Sequence, residues 1–508
     1  MKAGQRSDPM NEVELKFQVP AGQRAAVGAA VAGRAREDRI RLRASYWDTP
    51  DRALAKAGLA LRVRREGEAW VQTLKGAGRD GMTRPEHNVV VISPVSAEPA
   101  VDPARHAGTP AGKRLLALLA RRPQAALQPQ YRTDILRRRR SIKTIAGCVE
   151  LAFDAGSIQA GDRKLDVCEL EIELRSGSPL AVIDAARRWQ ARFGLWLDTR
   201  SKAERGDLLA RAEATAPAQL ARAVELKRTM ALRQARRAVL RSCVNQVCAN
   251  ASQVAAGVHS AEHVHQLRVG LRRLRCALAL FGEHTTGPPL ADTAAAVFRR
   301  LGAARDQAVL QGDLCDELQA AWRSAGAADG VPPPAAPGSE SAVDVIRSPE
   351  AQALLLDLLA AVVDRPGSDD GEPASRAARV RAHFKHQLNR WHRQAAAGAL
   401  RYADLDNAGR HQLRKQIKRL RYAAEFSAGL FERRALRRFL TPLQALQDRL
   451  GALSDVVLAR AAYDTAPAAD PHRWFALGWL AARHDALVAG SVSELAAFAR
   501  AKRFWKTC

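Results

Sequence analysis

Cysteine is scarce, with seven in 508 residues: Cys148, Cys168, Cys243, Cys248, Cys276, Cys315 and Cys508, no two spaced as CxxC. An odd number so scattered builds neither a disulfide framework nor a zinc site, and a reducing cytoplasm fits such usage best. Aromatic residues make up only 5% of the chain. Single-strand nucleic-acid binders line their basic grooves with stacking rings, so nucleic acid is disfavoured as a partner. No apolar run reaches the roughly 18 residues of a membrane span. The opening segment MKAGQRSDPMNEVELKF has no apolar stretch of the kind a signal peptide needs. A cytoplasmic protein with no membrane partner is expected.

Acidic residues are also in short supply: 53 Asp and Glu face 80 Lys and Arg, a formal net charge of +27. A balance that basic points to a polyanionic partner. The excess is not confined to a tail. Residues 1–210 carry 37 basic and 25 acidic side chains, a net of +12, and the remainder carries +15. A chain of this length suits two or three domains of roughly 100–200 residues each.

The first 205 or so residues contain short stretches of period-two alternation, the pattern of strands. Val13, Leu15 and Phe17 alternate with Glu12, Glu14 and Lys16; Leu61 and Val63 alternate with Arg62 and Arg64. Val149, Leu151 and Phe153 alternate with Glu150, Ala152 and Asp154; Leu170, Ile172 and Leu174 alternate with Glu169, Glu171 and Glu173. Helical spacing is interspersed around 21–32, 111–121 and 179–193. The reading is an α+β domain with a mainly antiparallel sheet. After the segment Glu213–Arg222, which contains Pro217, the chain becomes Ala-, Leu- and Arg-rich with helical spacing. VPPPAAPG at 331–338 and DRPGSDDGEP at 364–373 read as loops. This half repeats itself. HQLRVGLRRLRC (His265–Cys276) returns as HQLRKQIKRLRY (His411–Tyr422), and LGAARD (Leu301–Asp306) returns as LGALSD (Leu450–Asp455). Two paired motifs in the same order argue for a duplicated helical bundle.

Successive strand residues point to opposite faces, so Glu12, Glu14 and Lys16 share one face, as do Glu169, Glu171 and Glu173. Arg62 and Arg64 form a basic pair, and Lys75 closes the strand Trp70–Lys75. An ordinary solvated sheet face would mix signs with Ser, Thr and Gln, whereas these strands segregate acids from bases. Curled inward, such faces make a polar tunnel. Carboxylates would hold hard divalent cations, and guanidinium groups would clamp phosphate oxygens.

The pattern Glu12-Val-Glu14-Leu-Lys16 resembles the ExExK signature of the CYTH superfamily, the triphosphate tunnel metalloenzymes. LRVR at 61–64, TLK at 73–75, TRPEHNV at 83–89, ELAFD at 150–154, ELEIEL at 169–174 and SKAERG at 201–206 follow in family order. The resemblance covers about residues 10–206 and is closest to bacterial inorganic triphosphatases. It implies a closed antiparallel β tunnel with flanking helices, dependent on Mg²⁺ or Mn²⁺. It also implies metal-site carboxylates at Glu12, Glu14, Asp154, Glu169, Glu171 and Glu173. Phosphate-binding groups would be Lys16, Arg62, Arg64, Lys75, Arg137 and Lys202, with Glu12, Glu14, Lys16 and Lys75 central to catalysis. Arg137 opens a run of four arginines, where a one-residue slip changes the face. Arg84 and Glu86 read either as an ion pair at the rim or as a surface pair, and His87 as a rim residue. The expected reaction is attack on a terminal phosphoryl group by a water held at the metal or a carboxylate, with the basic side chains offsetting developing charge.

In the helical half, at 3.6 residues per turn, His265, Arg268, Arg272 and Arg275 form one stripe. Leu267, Leu271, Leu274, Leu278 and Phe281 form another roughly opposite. His411, Arg414, Lys418 and Arg421 repeat the first, and Leu413, Ile417, Leu420 and Ala424 the second. Like charges one turn apart repel, and a polyanion relieves that repulsion with release of counterions. These stretches resemble the CHAD domain, a conserved histidine α-helical domain associated with inorganic polyphosphate, over about residues 222–508. The resemblance implies polyphosphate contacts at His265, Arg268, Arg272, Arg273, Arg275, His411, Arg414, Lys418, Arg419 and Arg421. The histidines read equally as phosphate donors or as interior residues. Asp306 and Asp455 would orient the basic groups. Ser454 stands where the first copy has Arg305, which makes the second site less basic.

Taken together, the expectation is a metal-dependent hydrolase of inorganic triphosphate or short polyphosphate. Its second domain, all-α and built of two duplicated bundles, would bind polyphosphate or attach to polyphosphate granules. The alternatives are a non-catalytic polyphosphate-binding protein, or thiamine-triphosphate hydrolysis or adenylate cyclisation on the same scaffold.

Overall fold

The computed structural model describes residues 11–33, 38–78, 81–94, 97–282, 290–302, 310, 312–326, 329–332, 340–363, 377–465 and 470–506. Asp306, Arg305, the loop 364–373 and Cys508 lie outside them, as does most of the loop 331–338. The chain divides into two compact units. One comprises Met1–Gln219, Val247–His263 and Ile346–Ser368; the other comprises Leu220–Gln246, Val264–Val345 and Asp369–Cys508.

The first unit is built on β1 (Asn11–Gln18), β2 (Asp38–Asp48), β3 (Ala60–Glu66), β4 (Ala69–Lys75), β5 (Thr83–Val91), β6 (Gln128–Thr144), β7 (Gly147–Ala160), β8 (Arg163–Gly177) and β9 (Trp196–Leu197). Their order is β5-β4-β3-β2-β6-β7-β8-β1-β9, and a further β1–β5 pairing closes eight strands into an antiparallel barrel. Closure leaves no unpaired sheet edge in the ring. β1 makes it possible by changing partners along its length. Asn11–Val13 pair with β5, Glu14–Gln18 pair with β8, and Phe17–Gln18 also meet β9.

Alternation decides which face turns out. Leu15, Phe17, Val149, Leu151, Leu170 and Ile172 are all buried on the outer face. There α1 (Arg24–Ala32) packs on β6 and β7, while α4 (Leu180–Phe193, named in chain order) packs on β1, β7 and β8. α4 is apolar on the side carrying Val182, Ala186, Trp189 and Phe193, and it stops at Gly194 in the left-handed conformation that suits glycine. On the opposite wall Leu61 and Leu74 form a cluster with Leu54, Leu59 and Leu115, drawn from α2 (Ala53–Lys56), its following loop and α3 (Pro110–Ala120). With apolar residues outside, the polar members of each strand face the lumen.

One end of the lumen is apolar. Leu42, Ala44, Tyr46, Tyr131, Ile135, Ile158 and Val167 fill it, and Ala203, Leu209 and Ala210 of α5 (Lys202–Ala210) pack against them. α5 begins with a capping box, Ser201 accepting from the Glu204 N–H while the Glu204 carboxylate accepts from the Ser201 N–H.

In the second unit, the later repeat forms a ring of four helices. α12 (Ala377–Leu400), α13 (Asn407–Phe426), α14 (Arg433–Asp464) and α15 (Pro471–Arg500) pack in sequence, and α15 returns to α12. Leu413, Ile417, Leu420 and Ala424 are buried, as are Leu267, Leu271, Leu274 and Leu278 of α7 (Ala261–Phe281), the apolar stripe of the first copy. Among the described residues no helix is long and apolar enough to cross a membrane.

Gly206 sets how closely α5 approaches the barrel, since a Cβ there would stand 2.3 Å from the Tyr131 ring. That ring is backed by Tyr46, stacked at 4.8 Å. Gly206→Ala should therefore lower stability by about 1–3 kcal/mol through overpacking, although Ala is intrinsically the better helix former. Denaturant unfolding measures this, and a variant as stable as the wild type would remove the steric argument.

Candidate active site

The registers bring the charged residues level with one another. Glu14 lies opposite Glu173, Lys16 opposite Glu171 and Gln18 opposite Glu169 across β1 and β8. Asp154 of β7 lies between Glu169 and Arg137. On the other wall Arg84 lies opposite Glu12, Glu86 opposite Lys75, and Thr73 between Arg62 and Asn88.

Around these registers the lumen holds two connected sets of ion pairs. In the first, Lys202 Nζ donates to Asp154 Oδ2 at 2.6 Å, to Glu171 Oε1 at 2.8 Å and to Glu169. Arg137 holds Asp154 with two parallel bonds of 2.7 Å and also reaches Glu171. Arg205 pairs with Glu169. In the second set, Lys75 bonds Glu12 at 2.8 Å and Glu86 at 2.6 Å, Arg84 bonds Glu12 at 3.1 Å and Glu14, and Arg62 stands 3.8 Å from Glu86. Arg62 also donates to the Tyr46 hydroxyl at 3.2 Å, and Arg64 pairs with Glu66 at 2.7 Å. Asp154 and Glu169 are fully buried, and Glu14, Lys16 and Arg205 nearly so. Charges that deep are costly unless paired. A hydrophobic filling would stabilise the barrel as well or better, so so many buried charges mark a site.

The pairing shows in the proton affinities. Burial works against the Glu171 carboxylate, but Lys202, Arg137 and Lys16 outweigh it and hold Glu171 well below the usual range. Burial is likewise overcome at Asp154 by Arg137 and Lys202, and at Glu86 chiefly by Lys75. Lys202 in turn stays charged, because Asp154, Glu169 and Glu171 outweigh its burial. Glu173 behaves differently. Burial pushes it up to about 7; Arg175 pulls the other way, while Glu12, Glu150 and Glu171 add to the rise.

Asp154, Glu169 and Glu171 offer one oxygen each within 4.8 Å of one another. Three hard oxygen donors at that spacing fit Mg²⁺ or Mn²⁺. Of the other carboxylates expected as ligands, Glu12 and Glu14 are engaged with Arg84 and Lys75, and Glu173 bonds Arg175 at 2.9 Å. Arg84 and Glu86 both face the lumen, but each pairs with other strands. His87 points to the outer face of β5, its Nδ1 2.8 Å from Nδ1 of buried His106. Arg205, Gln18 and Asp198 belong to the site and were not singled out from sequence. Gln18 links Glu169 at 3.3 Å to Asp198 at 3.0 Å. The alternation of β1 placed Gln18 on the charged face, and the spacing of Lys202 and Arg205 was the available signal for the helix.

In the helical unit the two repeated stripes influence each other. Arg272 of α7 lies near Lys418 of α13, and Cys276 donates to the Arg419 carbonyl at 3.3 Å. Burial, with Arg272, Arg414 and Arg421, pushes the Lys418 ammonium down to about 6; Asp455 opposes the shift. The copies match in detail. Gly302 lies beside the Arg268 guanidinium and Gly451 beside that of Arg414, and Arg268 donates to the Leu301 carbonyl at 2.7 Å. Arg273 and Arg419 turn away from the stripe. Arg273 is buried, bonding Gln246 at 2.7 Å over the Phe426 ring, and Arg419 bonds Gln394 at 3.0 Å over Trp391. Arg275 and His411 are exposed and His265 half-buried.

A closed barrel whose lumen is lined by paired acids and bases defines a tunnel protein. The chain joins a CYTH domain, matched over residues 10–206, to a CHAD domain, matched over residues 238–464. An inorganic triphosphatase of Haemophilus influenzae is 32% identical over 168 residues, covering 32% of this chain and 45% of that protein. The chain thus spans less than half the length of that relative. The CHAD domain structure from the plant Ricinus communis is 29% identical with a TM-score of 0.45, covering 57% of this chain and 99% of the other. The structure of a Hippeastrum adenylyl cyclase described as having a dominant triphosphatase activity is 15% identical with a TM-score of 0.30, covering 41% of this chain and 98% of the other.

The raised Glu173 gives a signed expectation. It keeps its proton up to about 7 in the folded chain, against 4.5 ordinarily. Between those values the folded state binds more protons, so this residue makes stability fall as pH rises through the window. Glu173→Gln should gain in melting temperature relative to the wild type between pH ~5 and ~8. A difference that stays flat across the window would contradict a half-buried, protonated Glu173.

Proposed function

We propose that the tunnel hydrolyses inorganic triphosphate, or short polyphosphate, to shorter phosphate products in a metal-dependent reaction. The observation that carries this reading is the buried group Asp154, Glu169 and Glu171, ringed by Arg137, Lys202 and Arg205. The curated relative named as an inorganic triphosphatase matches the chain at the barrel and supports the same activity. A divalent ion held by these carboxylates would draw charge from phosphate oxygens and help bind the chain. Arg62, Arg64, Lys75 and Lys16 supply fixed positive charge along the lumen, so phosphate oxygens are held without reorganisation as their charge grows. Water attacks the terminal phosphorus, the bond to the bridging oxygen breaks, and phosphate leaves with the shortened chain. Glu12 and Glu14, on β1 beside the carboxylates of β8, would hold that water and take its proton.

The aromatic residues favour triphosphate over a thiamine or adenine substrate. Tyr46 and Tyr131 face the lumen but are buried on each other beneath α5. Trp70 packs outside with Val63 and Val91, and Trp196 lies under Arg347. Phosphate release from triphosphate, longer polyphosphate, ATP and thiamine triphosphate, each with Mg²⁺ and Mn²⁺, tests the reading. Triphosphate should be preferred, and Glu14→Gln should lose on the order of 10- to 100-fold in turnover. Full activity in that variant would reject the tunnel mechanism.

We further propose that the helical unit binds polyphosphate through Arg268, Arg272 and Arg275 of one copy and Arg414, Lys418 and Arg421 of the other. Lys418 supports this: a lysine deprived of water among three arginines regains its proton when an anion arrives. Retention on immobilised polyphosphate should weaken as pH rises from ~6 to ~8, and Lys418→Met should flatten that dependence. Arg272→Ala should reduce the salt slope by about 1. An unchanged slope and pH profile would reject the site.

A further inference from the structure

Lys202 occupies the place where a metal ion would sit. Its single ammonium touches all three carboxylates whose oxygens fall within 4.8 Å of one another. The two guanidinium groups of the cluster approach differently. Arg137 grips Asp154 from the β6 side with two parallel bonds, and Arg205 reaches only Glu169. Three carboxylates therefore already meet three cations in direct contact, and Lys16 adds a fourth positive charge near Glu171. A divalent ion added on top would bring two further positive charges into a site whose acids are already matched by cations and where Asp154 and Glu169 have no exposure at all. In such surroundings that excess is strongly unfavourable. The side chain suited to leave is Lys202: a compact charge on a flexible four-carbon stem. Its backbone is fixed at the first turn of α5 by the Ser201–Glu204 capping box, so the stem can swing while the helix stays in place.

We propose that Lys202 is an internal counter-cation that fills the carboxylate site until a divalent ion displaces it, and that its ammonium then turns to the phosphate chain. This rests on the tunnel being a metal-dependent phosphate-chain site. Its consequence is coupling. The metal binds weakly alone, because it must evict Lys202, and more tightly with a polyphosphate that both offsets its charge and receives the displaced ammonium. Linkage requires the phosphate chain to gain from the metal by the same factor. The device keeps a cluster of buried acids folded without metal and biases the empty tunnel against holding metal without substrate.

The test is calorimetric titration of Mn²⁺ into the full chain without phosphate. Lys202→Met should bind Mn²⁺ roughly 5- to 100-fold more tightly than the wild type, while Lys202→Arg, which keeps the charge, should stay close to it. Equal or weaker binding by Lys202→Met overturns the assignment, as does an equal gain in Lys202→Arg. If Lys202→Met is too unstable to titrate, its melting temperature with and without Mn²⁺ decides with the same sign. The variant should gain more than the wild type, and an equal or smaller gain overturns the proposal. Tripolyphosphate binding by the wild type in saturating Mg²⁺ is measured alongside. Its absence takes down the tunnel reading and the proposal together; its presence, with Mn²⁺ affinity unmoved by Lys202→Met, removes the role of Lys202 alone.

Discussion

The barrel depends on one electrostatic condition: among the described residues, each carboxylate of the acidic cluster in its lumen is met by a cation. Asp154 and Glu169 are wholly enclosed, and each is met by basic side chains from a different element, Arg137 from β6 and Lys202 and Arg205 from α5. Removing either sign would strand the other in a poorly hydrated space, where an unpaired charge is far more costly than a lost contact. That condition explains the closed ring, because an open sheet would let water screen the charges and remove the need for matched strands. It also explains α5, which fills the apolar end of the lumen and delivers two of the three cations.

The same condition connects structure to chemistry. A site that balances its own charge is organised before a ligand arrives, so little reorganisation remains for binding. It is also poised for exchange. In the proposed reaction phosphate oxygens would replace carboxylates as partners of the arginines, and a divalent ion would replace an ammonium. In the helical unit Lys418 lies among Arg272, Arg414 and Arg421, with Asp455 opposing their effect on it, and Arg421 also pairs with Glu425.

Much of the barrel was legible residue by residue. Alternation at Glu12–Phe17, Leu61–Arg64, Val149–Asp154 and Glu169–Leu174 told which side chains share a face, because a strand leaves no other choice. The repeat at His265 and His411 was equally readable, since its apolar positions at helical spacing are the ones that become buried. Less legible were residues whose role depends on a partner far away in the chain. Arg84 and Glu86, two apart on one strand, invite pairing with each other; the ring instead places Arg84 beside Glu12 and Glu14 and Glu86 beside Lys75. His87 lies next to Glu86 in sequence, yet alternation sends it outward to His106. Arg273 and Arg419 belong to the basic motif by spelling, but they sit one residue off the stripe, where Arg273 bonds buried Gln246 and Arg419 bonds exposed Gln394.

What the sequence by itself determined is local and periodic: the strand faces, the apolar and basic stripes of the helices, the duplication, and the excess of positive charge. These follow from the repeat distances of strand and helix, which need no knowledge of distant neighbours. Tertiary structure alone decided that β1 would close the ring by pairing with both β5 and β8, and that the inward faces would bury their charges. It alone placed Lys202, distant in sequence from Asp154 and Glu169, between their carboxylates. Those outcomes depend on register between strands far apart in the chain, and on where a capped helix comes to rest, and no local pattern encodes either.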